Sequence, residues 1–242
     1  MKEKDTILQN QLVNGSRYAA NFDYLMHNYV VDKLSPFFKG EWCCELGAYK
    51  GAMTKKLLPF FNKFSVLEIE PELVEILNAD PALQHVEILH NDFTKYEKYS
   101  EFTDIISCHS LEHIECHIDF LHHLKSHKSK HTRVFFIVPN AHALSRRIAV
   151  EMGIIDDCKV VTTFEKSIGH FHSFTRETLE KDLISTGWSI IDSGGIMLKP
   201  LSNHQFDEAL ASGIITMQYL DALEALSSDY ADLSASIFFV CE

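Results

Sequence analysis

An acid, two glycines and a second acid carry the first chemical signal in this chain. Glu45 follows the apolar run Trp42-Cys43-Cys44, and Gly47 and Gly51 come after it, separated by Ala48-Tyr49-Lys50. Glu68 stands about twenty residues beyond this turn, where a nucleoside fold keeps the acid that accepts both ribose hydroxyls. A carboxylate at a strand end suits a cationic ligand, held by Coulomb attraction in a partly dry cleft. Gly47 and Gly51 lack the Cβ that would hold a ligand off the backbone. The G-x-G-x-x-G spacing that seats a pyrophosphate is absent, and Tyr49 occupies the place of a middle glycine.

Two further groups could do chemistry. Asp92-Phe93 ends a third apolar run, where the acid can accept from an exocyclic amine while the ring packs beside a base. His109-x-x-Glu112-His113 follows a fourth run, and Gly169-His170-Phe171-His172 lies downstream. A neutral imidazole takes a proton from a hydroxyl. His113 is the first candidate for that base, His170 the second and His172 the third.

These residues need elements to position them. Runs at 42–45, 64–67, 85–89, 104–108 and 133–138 alternate with helical patterns, which argues a doubly wound parallel sheet. Pro71 suits a first helical position, with Leu73, Val74, Ile76 and Leu77 behind it. Thr175 reads as the cap of a helix that Gly187 ends. Trp188–Leu198 reads as a strand broken at Gly194-Gly195, 203–226 as one helix, and Ser236–Cys241 as a final strand. Residues 1–40 (Tyr18, Phe22, Leu25, Met26, Tyr29) are helical in pattern and are expected to cap the ligand mouth as a separate unit before a main domain at 41–242.

The chain is acidic, 34 Asp and Glu against 22 Lys and Arg, which disfavours a nucleic-acid partner. No apolar run reaches membrane-spanning length, and Met1-Lys2-Glu3-Lys4-Asp5 does not open like a secretory signal. Six cysteines without C-x-x-C spacing fit a reducing cytoplasm better than a disulfide framework. A homodimer is compatible with the sequence, and no feature requires one.

Taken in this order, Glu45-Leu46-Gly47-x-x-x-Gly51, Glu68, Asp92-Phe93 and Leu111-Glu112-His113-Ile114 make residues 40–242 resemble the class I S-adenosylmethionine-dependent methyltransferases. The resemblance implies a Rossmann-like sheet in the order 3-2-1-4-5-7-6, its last strand antiparallel. It implies S-adenosyl-L-methionine as cofactor. Glu45 would face the methionine amine, Gly47 and Gly51 the close approach, and Glu68 the ribose. Ile69 would lie against the adenine, with Asp92 and Phe93 holding it, and Tyr49 and His109 would border the methionine end. The Gly-His-x-x-x-Phe-Thr stretch resembles the branch that acts on small molecules, such as sugars, natural products or cell-surface precursors. The methyl acceptor, a hydroxyl or amine, would be chosen by the cap (1–40) and the segments 140–175 and 199–232.

Some class I members carry E-x-x-E-H after strand four as divalent-metal ligands. By that resemblance His109, Glu112, His113 and His170 are candidate ligands, with imidazole in place of the first acid favouring a transition metal. Two readings of other classes stay open. A nicotinamide-dependent oxidoreductase lacks its glycine fingerprint, and Tyr29-x-x-x-Lys33 lies on the wrong side of the turn. A non-catalytic binding protein of the same fold would find support in Tyr49, which crowds the methionine pocket.

Overall fold

A computed structural model describes residues 21–242, so the first half of the expected cap, Tyr18 included, lies outside the described residues. Its strands are β1 (Trp42–Leu46), β2 (Lys63–Glu68), β3 (Glu87–His90), β4 (Asp104–Cys108), β5 (Arg133–Pro139), β6 (Ile190–Ile196) and β7 (Ser236–Cys241). They form one sheet in the order β3-β2-β1-β4-β5-β7-β6. The first five are parallel, and β7 runs antiparallel to both β5 and β6. Both the order and the reversed strand match the expectation.

Alternation along each strand sends successive side chains to opposite faces. Cys43, Ile106 and Phe135 join one apolar layer. Their neighbours Cys44, Ile105 and Phe136 join the other. Central parallel strands buried on both faces read as unbroken apolar runs, which is why they were visible in the sequence. Helix α1 (Asn21–Leu34) is built into the first layer: Phe22, Tyr29, Val30 and Leu34 are buried there, and Phe22 stacks on Phe206 at 4.4 Å. Helices α2 (Ala52–Leu57) and α3 (Pro71–Ala79) follow β1 and β2. Helix α4 (His117–His127) packs Phe120, Leu121 and Leu124 into the second layer. Each such fully buried side chain contributes about 1.5–3 kcal/mol.

Beyond β5 come α5 (Leu144–Glu151), the one-turn α6 (Thr163–Ser167) and α7 (Arg176–Ser185). Thr175 caps α7 by accepting from the Thr178 amide at 3.1 Å, and Gly187 follows its end at φ +85°. The single helix expected over 203–226 is two, α8 (Asn203–Ala211) and α9 (Met217–Leu226). Gly213 at φ +72° turns the chain between them, and the Thr216 hydroxyl accepts from the Tyr219 amide to start α9. Gly194-Gly195 does not break β6. A Cβ on Gly194 would meet the Phe238 ring at 2.8 Å, and one on Gly195 the Ser234 hydroxyl at 2.1 Å, so close packing selects both glycines. Among the described residues no helix is long and apolar enough to cross a membrane.

Candidate active site

A cavity of about 1670 Å³ opens over the carboxyl ends of the strands, where open α/β sheets place their ligands. It is lined by Glu45, Gly47 and Tyr49 at the end of β1 and in the loop after it, Glu68 and Ile69 at the end of β2, Asp92 and Phe93 after β3, and His109, Glu112 and His113 after β4. His170, Lys199 and the α1 residues Asp23 and His27 complete the far side. Apart from Gly51 and His172, every candidate cofactor, catalytic and metal residue in the sequence therefore borders one space.

Glu45 is 2% exposed, and Oε2 accepts the Thr54 hydroxyl at 2.6 Å. Burial pushes its carboxyl up to about 7, against the Thr54 bond and with help from the nearby Glu68 charge. No lysine, arginine or histidine among the described residues pairs with it.

Glu68 works on the backbone. Oε2 accepts from the Tyr49 amide at 3.2 Å, and Oε1 from the amides of Ile69 (2.9 Å) and Glu70 (3.2 Å). It thus ties the glycine loop to the start of α3. Burial raises its carboxyl while those amides oppose the rise. Tyr49 stands at φ +53° in the loop. Ile69 is 47% exposed beside the cavity. Asp92 holds a turn of its own: Oδ1 accepts from the Thr94 amide and hydroxyl (2.9 and 2.6 Å), and Oδ2 pairs with Lys95 at 2.9 Å. Phe93 packs edge-on against Phe120 at 5.6 Å.

The two glycines do different work. The missing Cβ of Gly47 would touch Phe93 and Ser110 at an ordinary 3.6 Å, beside the cavity. That of Gly51 would meet Leu83 at 2.7 Å and Leu77 at 3.0 Å, so this glycine makes room for the core rather than for a ligand.

After β4 the chain turns through His109 (φ +53°), whose Nε2 lies 3.1 Å from the Ser236 hydroxyl. Burial, with the charges of His27 and His170 beside it, holds this imidazole down to about 3. His113 Nδ1 donates to the Gly169 carbonyl at 3.1 Å, which places the lone pair on Nε2. The His113 and His170 rings meet edge to face at 4.6 Å. Glu112 is 1% exposed, and among the described residues neither carboxylate oxygen has a hydrogen-bond partner. Burial pushes it up to about 8. Ligand atoms of Glu112, His113 and His170 all lie within 4.8 Å of one another. His109 turns to Ser236 instead and is not in this group. His172 is drawn away to His117 Nδ1 (3.2 Å) and the Glu115 carbonyl (2.9 Å).

Sequence reading missed Thr54 and Lys199. Thr54 follows Glu45 by nine positions, and only the turn at 47–51 folds it back. Lys199 lies after β6 in a segment without motif.

This sheet order, with β7 reversed and the acids at the ends of β1 and β2, defines the class I methyltransferase fold. The family described as a methyltransferase domain matches residues 18–193, and the chain belongs to that family. Among solved structures it is similar to one described as the "DhpI-SAM-HEP complex", at TM-score 0.61 and 14% identity over 99% of this chain and 95% of that one. The plantazolicin methyltransferase BpumL in complex with SAH is similar at TM-score 0.58 and 14% identity, over 99% and 90% of the two chains. Of the curated proteins, ribosomal RNA small subunit methyltransferase A of Mycoplasma mycoides subsp. mycoides is 39% identical over 77 residues. That match takes in 31% of this chain and only 29% of the relative.

Proposed function

We propose that this methyltransferase moves a methyl group from S-adenosylmethionine to a hydroxyl of a small molecule. The observation that carries the reading is the continuity of one cavity from Glu45 and Glu68 to the His113–His170 pair. The residues fit the cofactor: Glu45 is a buried carboxylate in the cavity wall with a hydroxyl, not a cation, for partner. A ligand ammonium would supply the missing charge there. Glu68, which holds the loop, has lone-pair capacity left on Oε2 for a ribose hydroxyl. Ile69 and Phe93 offer apolar surface for the adenine. When bound, S-adenosylmethionine supplies a methyl on a sulfonium for in-line displacement, which rewards orientation and a dry site. His113, with its lone pair on Nε2, takes the proton of the acceptor hydroxyl. Burial lowers His170 and so keeps that ring neutral beside it.

A net charge of −12 weighs against a polyanionic acceptor. S-adenosylhomocysteine should bind in calorimetry, and Gly47→Val, which fills the cleft, should abolish binding while the fold persists. Wild-type protein that binds neither compound at millimolar concentration would defeat the reading.

One observation favours a second reading of the acceptor end. The buried Glu112 carboxylate, without a hydrogen-bond partner among the described residues and beside two imidazoles, makes a donor set suited to a divalent transition metal. His113 already shows the supporting contact of a metal-binding histidine, its other nitrogen donating to a backbone carbonyl. A cation bound there would make the acceptor hydroxyl easier to deprotonate. Purified protein should then hold near-stoichiometric metal, and chelation should slow turnover. Full turnover by metal-free protein would dispose of this second reading alone.

A further inference from the structure

Lys199 brings an ammonium into the cavity with an amide for its partner. Nζ donates to Oδ1 of Asn203, and the Asn203 amide nitrogen donates in turn to Asp23. The Phe22 ring lies 5.8 Å away. Asp23 acts on Lys199 through this intervening amide, and among the described residues no carboxylate reaches ion-pair distance of Nζ. The stem is fixed from both sides. The Lys199 carbonyl accepts the Ser145 amide at 3.0 Å, and Met197, two residues earlier, stands at φ +60° fully buried.

A desolvated ammonium whose direct partner is a neutral amide is costly, and burial lowers Lys199 to about 8 against the opposing Asp23 charge. A negatively charged ligand group would remove that cost. The neighbouring chain adds to the same field. Asn203 and His204 open α8, a nine-residue helix, and border the cavity with Lys199. Ser202 caps the helix by taking the Gln205 amide, while the Asn203 and His204 amides have no acceptor inside the helix, and the helix dipole places its positive end there. Sheet order separates this corner, beyond β7 and β6, from the acids at the ends of β1 and β2. The cavity therefore has the acids Glu45 and Glu68 at one end and, at this corner, an ammonium and a helix start with Asp23 behind them.

We infer that the methyl acceptor is a hydroxy acid whose carboxylate docks between Lys199 and the first turn of α8, while its hydroxyl faces His113 and His170. One ammonium and one helix end balance a monoanion. Asp23, joined to Lys199 through Asn203, opposes a dianion such as a phosphate ester. The inference rests on the methyl-transfer reading for the role of the two histidines.

Calorimetry on the full chain loaded with S-adenosylhomocysteine tests it, with 4-hydroxybenzoate and its neutral counterpart 4-hydroxybenzamide as probes. The acid should bind wild type, and Lys199→Met should weaken it about tenfold or more, whereas Lys199→Arg should hold it within about threefold. The amide should bind weakly and alike to wild type and Lys199→Met. Wild-type affinity for the acid should fall as pH rises past about 8, where the ammonium deprotonates, and Lys199→Arg should lack that fall. S-adenosylhomocysteine should bind Lys199→Met as it binds wild type, so a failure of the cofactor reading shows separately, in wild type. Equal binding of the acid by wild type and Lys199→Met, equal binding of acid and amide by wild type, or no binding of the acid at millimolar concentration each overturns the inference.

Discussion

The Thr54 hydroxyl donates to Oε2 of Glu45 at 2.6 Å, and both side chains are buried. This bond works against the burial that pushes Glu45 up to about 7. The folded value lies above the ordinary 4.5, so Glu45 favours the ligand-free fold most below 4.5 and loses that contribution as pH rises through about 7. A ligand ammonium selects the ionised form. Affinity for S-adenosylhomocysteine should therefore rise with pH up to about 7. Thr54→Val should shift that rise to higher pH and weaken binding at pH 7 roughly tenfold, and Thr54→Ser should restore it. An unshifted profile in Thr54→Val would separate Glu45 from the amine.

Glu68 joins the glycine loop to the start of α3 through three backbone amides. Hydrogen bonds to a charged acceptor are worth about 1.5–3 kcal/mol each, so Glu68→Ala should cost stability as well as at least about tenfold in S-adenosylhomocysteine affinity. Glu68→Gln keeps one acceptor oxygen and should fall between. A thermal melt and a titration on the same samples separate the two effects. An unchanged dissociation constant in Glu68→Ala would leave it a loop tether only.

The sheet was legible because its central strands are buried on both faces and so spell continuous apolar runs. The order of the last two strands came from resemblance, since nothing in Trp188–Leu198 or Ser236–Cys241 states which lies at the edge. The break between α8 and α9 was missed because Ile214 and Met217 continue the apolar period across Gly213, although both are exposed. At the site, residue type showed which acids and imidazoles could act, but not what they touch. His109 and His113 look equivalent in H-x-x-E-H. A positive φ at His109 turns one to Ser236, while the other meets His170. Lys199 had no motif, because its role comes from a cavity assembled by α1, α8 and β7.

The contrast between the two loop glycines can be measured. Gly51→Ala places a Cβ 2.7 Å from Leu83 at a φ of +73°, combining overpacking with left-handed strain. It should destabilise by about 2–4 kcal/mol and lower the melting temperature even without ligand. Gly47→Ala meets only ordinary contacts, at φ +74°. Its melting temperature should fall less, and its loss should show mainly in S-adenosylhomocysteine affinity. Equal melting losses would argue that strain alone governs both positions.

His113 carries the chemical step in this reading, and its geometry states the consequence. With Nδ1 donating to Gly169, Nε2 has the lone pair that a hydroxyl proton requires. Once an acceptor is in hand, His113→Ala should depress turnover by roughly a hundredfold or more, with little change in cofactor affinity. The fall of turnover toward acid pH, where an imidazole base is protonated, should vanish with the ring. His170→Ala acts differently if His170 only supports the ring it meets edge to face: turnover falls less and the acid limb remains. Should the limb vanish with His170 instead, the base sits one ring away in the same pair. Should neither substitution slow the reaction, the acceptor atom needs orientation rather than deprotonation, as an amine does. Chelation separates the remaining case, because a metal held by Glu112, His113 and His170 would make Glu112→Ala, His113→Ala, His170→Ala and metal removal equivalent in effect.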